Sequence, residues 1–219
     1  AAPCGRCSTC VPHQHPDPEI TDDDRATARR WVADRELPIP ASRAPRMAPG
    51  IALLDGETRS PLFVDFMRQR ANTARTQLGD ALLAMLAKRL DPLLAAHDFA
   101  AVVAMPSRTW AQRHLLSESI AQRLGVPLFP DLLVWRQTPQ QRQGELLNND
   151  QRRDNVKGKM TVSGKLPDGA ILLLDDYYGS TATLREAGRA LRKDGGFDGD
   201  IVPVTIARVR WRLGASGMI

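Results

Sequence analysis

Residues 171–183 read ILLLDDYYGSTAT. Four apolar residues run into Asp175 and Asp176, and Gly179, Ser180, Thr181, Ala182 and Thr183 follow a few positions later. A helical pattern, TLREAGRALRKDGG (183–196), starts at once and stops at Gly195-Gly196. An apolar run, a small-residue loop and a helix in that order make one strand–loop–helix unit of an α/β sheet. In an open parallel sheet, ligands bind beyond the carboxyl ends of the strands, which is where the two aspartates fall. The loop feeds a helix N-terminus, where backbone amides lack internal partners and the helix dipole is positive, so it suits an anion. Gly179 lets the backbone come close, and Ser180, Thr181 and Thr183 add hydroxyl donors. The carboxylates beside it repel an anion, and suit instead a vicinal diol or a hydrated metal ion. A phosphate next to a diol describes ribose 5-phosphate. The plainer reading is a solvated strand end followed by an ordinary helix cap.

The same rhythm extends outward in both directions. FAAVVAMPS (99–107) is a buried strand, and TWAQRHLLSESIAQRLG (109–125) is a helix that stops at Gly125. PLFPDLLVW (127–135) reads as a second strand, GAILLLDD (169–176) as a third, and DIVPVTIARVRWRL (200–213) as a last strand or pair. Upstream, IALLDGET begins a strand and turn at Ile51, and Ser60-Pro61 opens a helix carrying Phe63, Phe66, Met67, Arg70 and Ala74 at helical spacing. Gly79-Asp80 breaks it, and a stripe from Leu82 to Leu93 continues towards His97. Apolar runs alternating with helices predict a parallel sheet covered on both faces, an α/β fold. Residues 136–160, RQTPQQRQGELLNNDQRRDNVKGKM, break the rhythm and read as a polar lid.

A chain of 219 residues suits one medium domain with an appendage. Residues 1–36 hold a Cys-, His- and Pro-rich start and a short helix capped by Thr21 or a neighbouring aspartate. Residues 37–50, LPIPASRAPRMAPG, read as a linker, and 51–219 as the main domain. No apolar run is long enough to span a bilayer and no signal-peptide pattern opens the chain, so no membrane partner is expected. Cysteines confined to positions 4, 7 and 10 exclude a secreted disulfide scaffold and predict a cytoplasmic protein. The first residue, Ala1, suggests a processed chain or a piece of a longer one. The net charge of +5 comes mostly from Arg, which suits phosphorylated partners but equally reflects an Arg-rich codon bias.

Residues 171–184 resemble the signature of type I phosphoribosyltransferases: an apolar strand, two acids, two variable residues, then Thr-Thr-Gly-x-Thr. The acids, Ala182, Thr183 and Leu184 match, whereas Gly179, Ser180 and Thr181 depart from the pattern. The resemblance runs through about 99–207. It implies a phosphoribosyltransferase-like parallel sheet flanked by helices. It further implies ribose binding by Asp175 and Asp176, and phosphate binding by Gly179, Ser180, Thr181, Ala182 and Thr183. A pyrophosphate loop would fall at Ser107 and Arg108, and a hood would contain Arg152, Arg153 and Asn155. The Gln-rich segment and Arg152-Arg153-Asp154-Asn155 are similar to the ComF branch, tied to DNA uptake. An active member would transfer a phosphoribosyl group with Mg²⁺ on the departing pyrophosphate, but no segment selects a nucleobase.

CGRCSTC places Cys4, Cys7 and Cys10 at a spacing that chelates zinc, with His13, His15 or a cysteine upstream of Ala1 as the fourth ligand. The cluster resembles the end of the zinc module of RecQ-family DNA helicases, and TIARVRWRLGASGMI resembles the tail of those with a phosphoribosyltransferase-like domain. This implies a zinc-module remnant and an accessory C-terminal domain of a RecQ-like 3'-5' DNA helicase, with DNA as partner through the parent. No G-x4-G-K-S/T loop is present, so ATP hydrolysis is not expected of this piece. In ARVRWRL, Arg208, Arg210 and Arg212 share one face and are candidates for DNA phosphates, or charges that protect an edge strand. Two rivals stand beside the accessory domain that binds a ribose-phosphate or nucleotide: an active transferase, and a ComF-like or catalytically dead interaction module.

Overall fold

The computed structural model describes residues 19–70, 72, 74, 79–107, 110, 111, 113–141, 146 and 148–209. The chain divides into two units, Ala1–Arg35 and Glu36–Ile219. In the first, helix α1 (Asp22–Asp34) begins at a capping box. The Thr21 hydroxyl accepts from the Asp24 amide, and the Asp24 carboxylate accepts from the Thr21 amide. Cys4, Cys7, Cys10, His13 and His15 lie outside the described residues.

The second unit is built on a six-stranded sheet in the order β1–β4–β10–β9–β5–β6. These strands are β1 (Pro38–Ile39), β4 (Gly50–Asp55), β5 (Phe99–Ala104), β6 (Leu128–Phe129), β9 (Ala170–Tyr178) and β10 (Ile201–Arg208). Short hairpin strands β2 (Ser42–Arg43) and β3 (Arg46–Met47), and the pair β7 (Leu133–Trp135) and β8 (Met160–Val162), lie outside it. Five main-sheet strands run parallel and β1 is antiparallel at one edge. The α/β expectation holds: β9 and β10 are continuous apolar runs because both faces are covered. One face packs Leu172, Leu174, Val202 and Val204 under α2 (Pro61–Gln69), α3 (Asp80–Ala96) and α4 (Arg113–Leu124). The other packs Ile171, Leu173 and Ile201 under α6 (Ala182–Arg189), a π-helical turn (Ala190–Asp194), the β2–β3 hairpin and the β7–β8 pair.

Helix signals in the sequence work locally. Ser60 caps α2, its hydroxyl accepting from the Phe63 amide, with Pro61 at the first helical position. Gly125 follows α4 with φ of 65°, a conformation open to glycine. Four expectations need correction. Residues 37–50 are not a linker, since β1 joins the sheet and Leu37, Ile39 and Met47 are buried. Residues 127–135 are two strands, not one; β7 leaves the sheet to pair with β8. The polar 136–160 segment is partly regular, containing α5 (Asn149–Val156) and the start of β8. The last strand is not at an edge, for β10 lies between β4 and β9, parallel to both.

Candidate functional site

From neighbouring strands the chain leaves in opposite directions. β5 passes through α4 to β6, while β9 passes through α6 to β10, and the two helices cover opposite faces. The point between β5 and β9 is therefore a topological switch, where an open α/β sheet has its ligand crevice. β9 outruns β5, whose ladder ends at Ala104 opposite Leu174. Asp175 and Asp176 thus stand beyond the end of β5. They are not the last strand residues, because β10 carries the ladder on to Tyr178 opposite Arg208.

Both carboxyl groups are buried, at 7% and 6% exposure. Asp175 also accepts from the Asp176 amide at 2.9 Å. Asp176 is held by the guanidinium of Arg70, which follows α2 and stands 4.7 Å over the Tyr177 ring. Burial pushes the Asp175 carboxyl well up, and the charge of Asp176 adds to the effect. Burial raises Asp176 too, against the opposing pull of Arg70. One carboxylate of the pair is already matched by the Arg70 guanidinium, which leaves less negative charge for any further cation. Among the described residues, no group of three or more His, Cys, Asp or Glu is placed to hold a metal ion.

The loop after β9 leads directly into α6. Thr181 caps that helix without a side-chain bond, so the first-turn amides keep their donor capacity. Its φ of −76° is ordinary, so this loop takes its shape without the glycine of the family signature. Gly179, Ser180, Thr181 and Ala182 line a groove of about 660 Å³ that continues along the outer face of α6. The β2–β3 hairpin forms one wall and α5 the other, through Asn149, Asp150, Arg153, Val156 and Lys157. Among the described residues, neither Asp175 nor Asp176 lines this groove, and Thr183 does not either. The diol end and the phosphate end expected of one site are separated by Tyr177 and Tyr178, about 10 Å of strand.

The remaining candidates scatter. Ser107 follows β5 and its hydroxyl accepts from the Trp110 amide, while Trp135 donates to the Pro106 carbonyl and so holds this loop from the side. Arg108 lies outside the described residues. Of the hood residues, Arg153 faces the groove. Arg152 is buried and donates to the Leu146 carbonyl, and Asn155 donates to the Gln141 carbonyl, so both brace the segment itself. Arg208 lies 3.4 Å from the Asp55 carboxylate and 3.5 Å from that of Glu57, at the end of an interior strand, which ill suits a DNA contact. Arg210 and Arg212 lie outside the described residues. Trp110 is buried in the core on one face of the sheet, and Trp135 packs against the core on the other.

Sequence reading missed Arg70 as a partner of the acids. Its place on a helical stripe gave no hint, because Asp176 lies 106 residues away. The basic face of α6 was legible in principle, since Arg185, Arg189, Arg192 and Lys193 recur at helical spacing.

Fold and site together define an α/β domain with a parallel-dominated sheet and an acidic pair at its switch point. No family model matches the chain, and no curated protein does. Among solved structures, the chain is similar to adenine phosphoribosyltransferase from Leishmania tarentolae, at 13% identity over 57% of this chain and 71% of that one, with a TM-score of 0.34. It is also similar to adenine phosphoribosyltransferase from Leishmania donovani, at 14% identity over 57% of this chain and 65% of that one, with a TM-score of 0.29. No helix among the described residues is long and apolar enough to cross a membrane.

Proposed function

We propose that Glu36–Ile219 is a phosphoribosyltransferase-like module that binds a ribose-phosphate or nucleotide at the β5–β9 switch point. The carrying observation is a buried pair of adjacent aspartates just ahead of a loop with open backbone amides. In this reading Asp175 and Asp176 take the ribose hydroxyls, and Gly179 to Thr183 take the phosphate. Arg70 supplies the positive charge that lets the acids sit buried, so binding does not depend on a divalent metal. Calorimetry with ribose 5-phosphate and phosphoribosyl pyrophosphate, each with and without Mg²⁺, tests this. Binding without Mg²⁺ that disappears in Asp175→Asn plus Asp176→Asn is the expected result. Unchanged affinity in that variant removes the ribose role. Mg²⁺-dependent binding with pyrophosphate release to a base acceptor would favour the active transferase instead.

The context proposed for this module is a RecQ-like helicase, in which it serves as an accessory domain. Support comes from the Cys4, Cys7, Cys10 spacing and the resemblance of the tail. Zinc is the expected metal there. Metal analysis of the purified chain should find zinc that is lost when Cys7 is replaced by Ser, and metal-free wild-type protein would remove the zinc module.

A further inference from the structure

We propose that the groove along the outer face of α6 is a track for a single nucleic-acid strand, held by its phosphates without reading its bases. The groove shares the Gly179–Ala182 loop with the proposed phosphate seat, but it excludes Asp175 and Asp176 and does not rest on their ribose role.

The argument begins with charge. Seven basic side chains line the groove against two carboxylates, Asp150 and Glu186. Each acid is already matched, Asp150 by Arg153 at 3.2 Å and Glu186 by Arg189 at 2.9 Å. Arg46, Lys157, Arg185, Arg192 and Lys193 remain, and none has a carboxylate within ion-pair distance among the described residues. Asp198 and Asp200 act on Arg192 from beyond ion-pair distance, but the concave surface still holds more cations than carboxylates, which calls for an anionic partner.

Distribution then selects the kind of anion. The basic positions run from Arg185 to Lys193 along the floor and recur on both walls, at Arg46 and Lys157. From Ala182 to Lys193 the floor rises about 15 Å. A mononucleotide would concentrate its charge at one end of such a length, whereas a nucleic-acid backbone repeats it. The open amides at the start of α6 add a further phosphate seat at one end. The walls contain no aromatic side chain among the described residues, so no platform for base stacking is present. Apolar lining is confined to Ala44, Pro45, Val156 and Ala182, which gives an acidic peptide little surface to bury. Two walls flank the groove of about 660 Å³, a channel form that suits a single flexible strand.

One wall of the groove is tied to its floor. Arg185 donates to the Ala44 carbonyl at 2.7 Å, and Arg192 donates to the Arg46 carbonyl at 3.1 Å, which rivets the hairpin wall to the floor helix. Each guanidinium keeps further donors for phosphate. Lys157 and Lys193 are exposed, so they are the positions to vary without disturbing the fold.

Fluorescence anisotropy with a labelled 20-nucleotide thymidine oligomer tests the track. Contact with five phosphates predicts a log–log salt slope near −3.5, on the order of 100-fold weaker binding at 200 mM than at 50 mM salt. Lys157→Gln plus Lys193→Gln should lower the slope to about −2. Lys157→Glu plus Lys193→Glu should raise Kd at least tenfold. Asp175→Asn plus Asp176→Asn should leave oligomer binding unchanged even where it abolishes ribose 5-phosphate binding. Salt-independent binding, indifference to the lysine substitutions, or loss of binding in the aspartate variant would each overturn the proposal. So would tighter binding of the corresponding duplex, or equal competition by polyglutamate.

Discussion

Asp176 and Arg70 form a pair whose side chains are 8% and 14% exposed, so neither charge has water to fall back on. Removing one partner strands the other, and Arg70→Ala should cost about 3–5 kcal/mol in denaturant unfolding. Arg70→Lys should recover part of the loss, since an ammonium keeps the charge but cannot reproduce the flat guanidinium over Tyr177. Equal loss in both variants would show that shape, and not charge, is what the site requires. The Asp175 pKa is raised by burial first, with the charge of Asp176 adding to the effect. A carboxyl whose pKa is raised on folding contributes stability in full below its unfolded value, about 3.9, and loses it as pH climbs through the raised value. The stability difference between wild type and Asp175→Asn should therefore shift in favour of the variant as pH rises from about 4. A difference that stays flat to pH 8 would mean Asp175 titrates normally. The acids announced themselves in the sequence; Arg70 did not, because nothing local marks a helix-end arginine as the partner of a distant strand.

At the scale of elements, α6 shows how one helix serves two surfaces. Its inner face buries Leu184, Ala187 and the neighbouring Ala190 and Leu191, while its outer face carries the basic floor of the groove. Gly188 sits where the hairpin lands. A Cβ there would come within 2.6 Å of the Met47 sulfur and 2.9 Å of the Pro45 ring. Alanine is the better helix former by about 1 kcal/mol. Even so, Gly188→Ala should be destabilising by about 1–3 kcal/mol, because a packed hairpin riveted by two arginines has no room to yield. A raised Tm would show that the hairpin moves freely. The helix pattern was readable, but the hairpin was not. Its prolines and single glycine look like a linker, and only packing on α6 makes it a wall. The lid segment is a similar case. Its polarity was plain, yet Arg152 and Asn155 spend their donors on the carbonyls of Leu146 and Gln141, a role that no spacing rule distinguishes from ligand binding.

For the whole molecule, β9 and β10 are the centre of stability. Ile171 to Leu174 and Ile201, Val202 and Val204 are completely buried, between one core on each face of the sheet. Their amides should be the slowest to exchange with deuterium, opening only with global unfolding, while the hairpin and α5 exchange sooner. Faster exchange in β10 than in β6 would contradict its interior place. Saturating ribose 5-phosphate at 100 times its Kd should add about 2.7 kcal/mol, and raise Tm by several degrees.

By itself, the sequence determined what is local: which runs are strands, which are helices, where caps and glycines end them, and that two acids precede a loop of small residues. Hydrophobic period and capping chemistry act over a few residues, so they can be read in order along the chain. Tertiary structure alone decided the neighbours. It set β10 in the interior with Arg208 against Asp55 and Glu57, brought Arg70 to Asp176, and turned an apparent linker into a groove wall. Those outcomes depend on the joint packing of segments far apart in sequence, and a side chain carries no local mark of the partner that burial will assign to it.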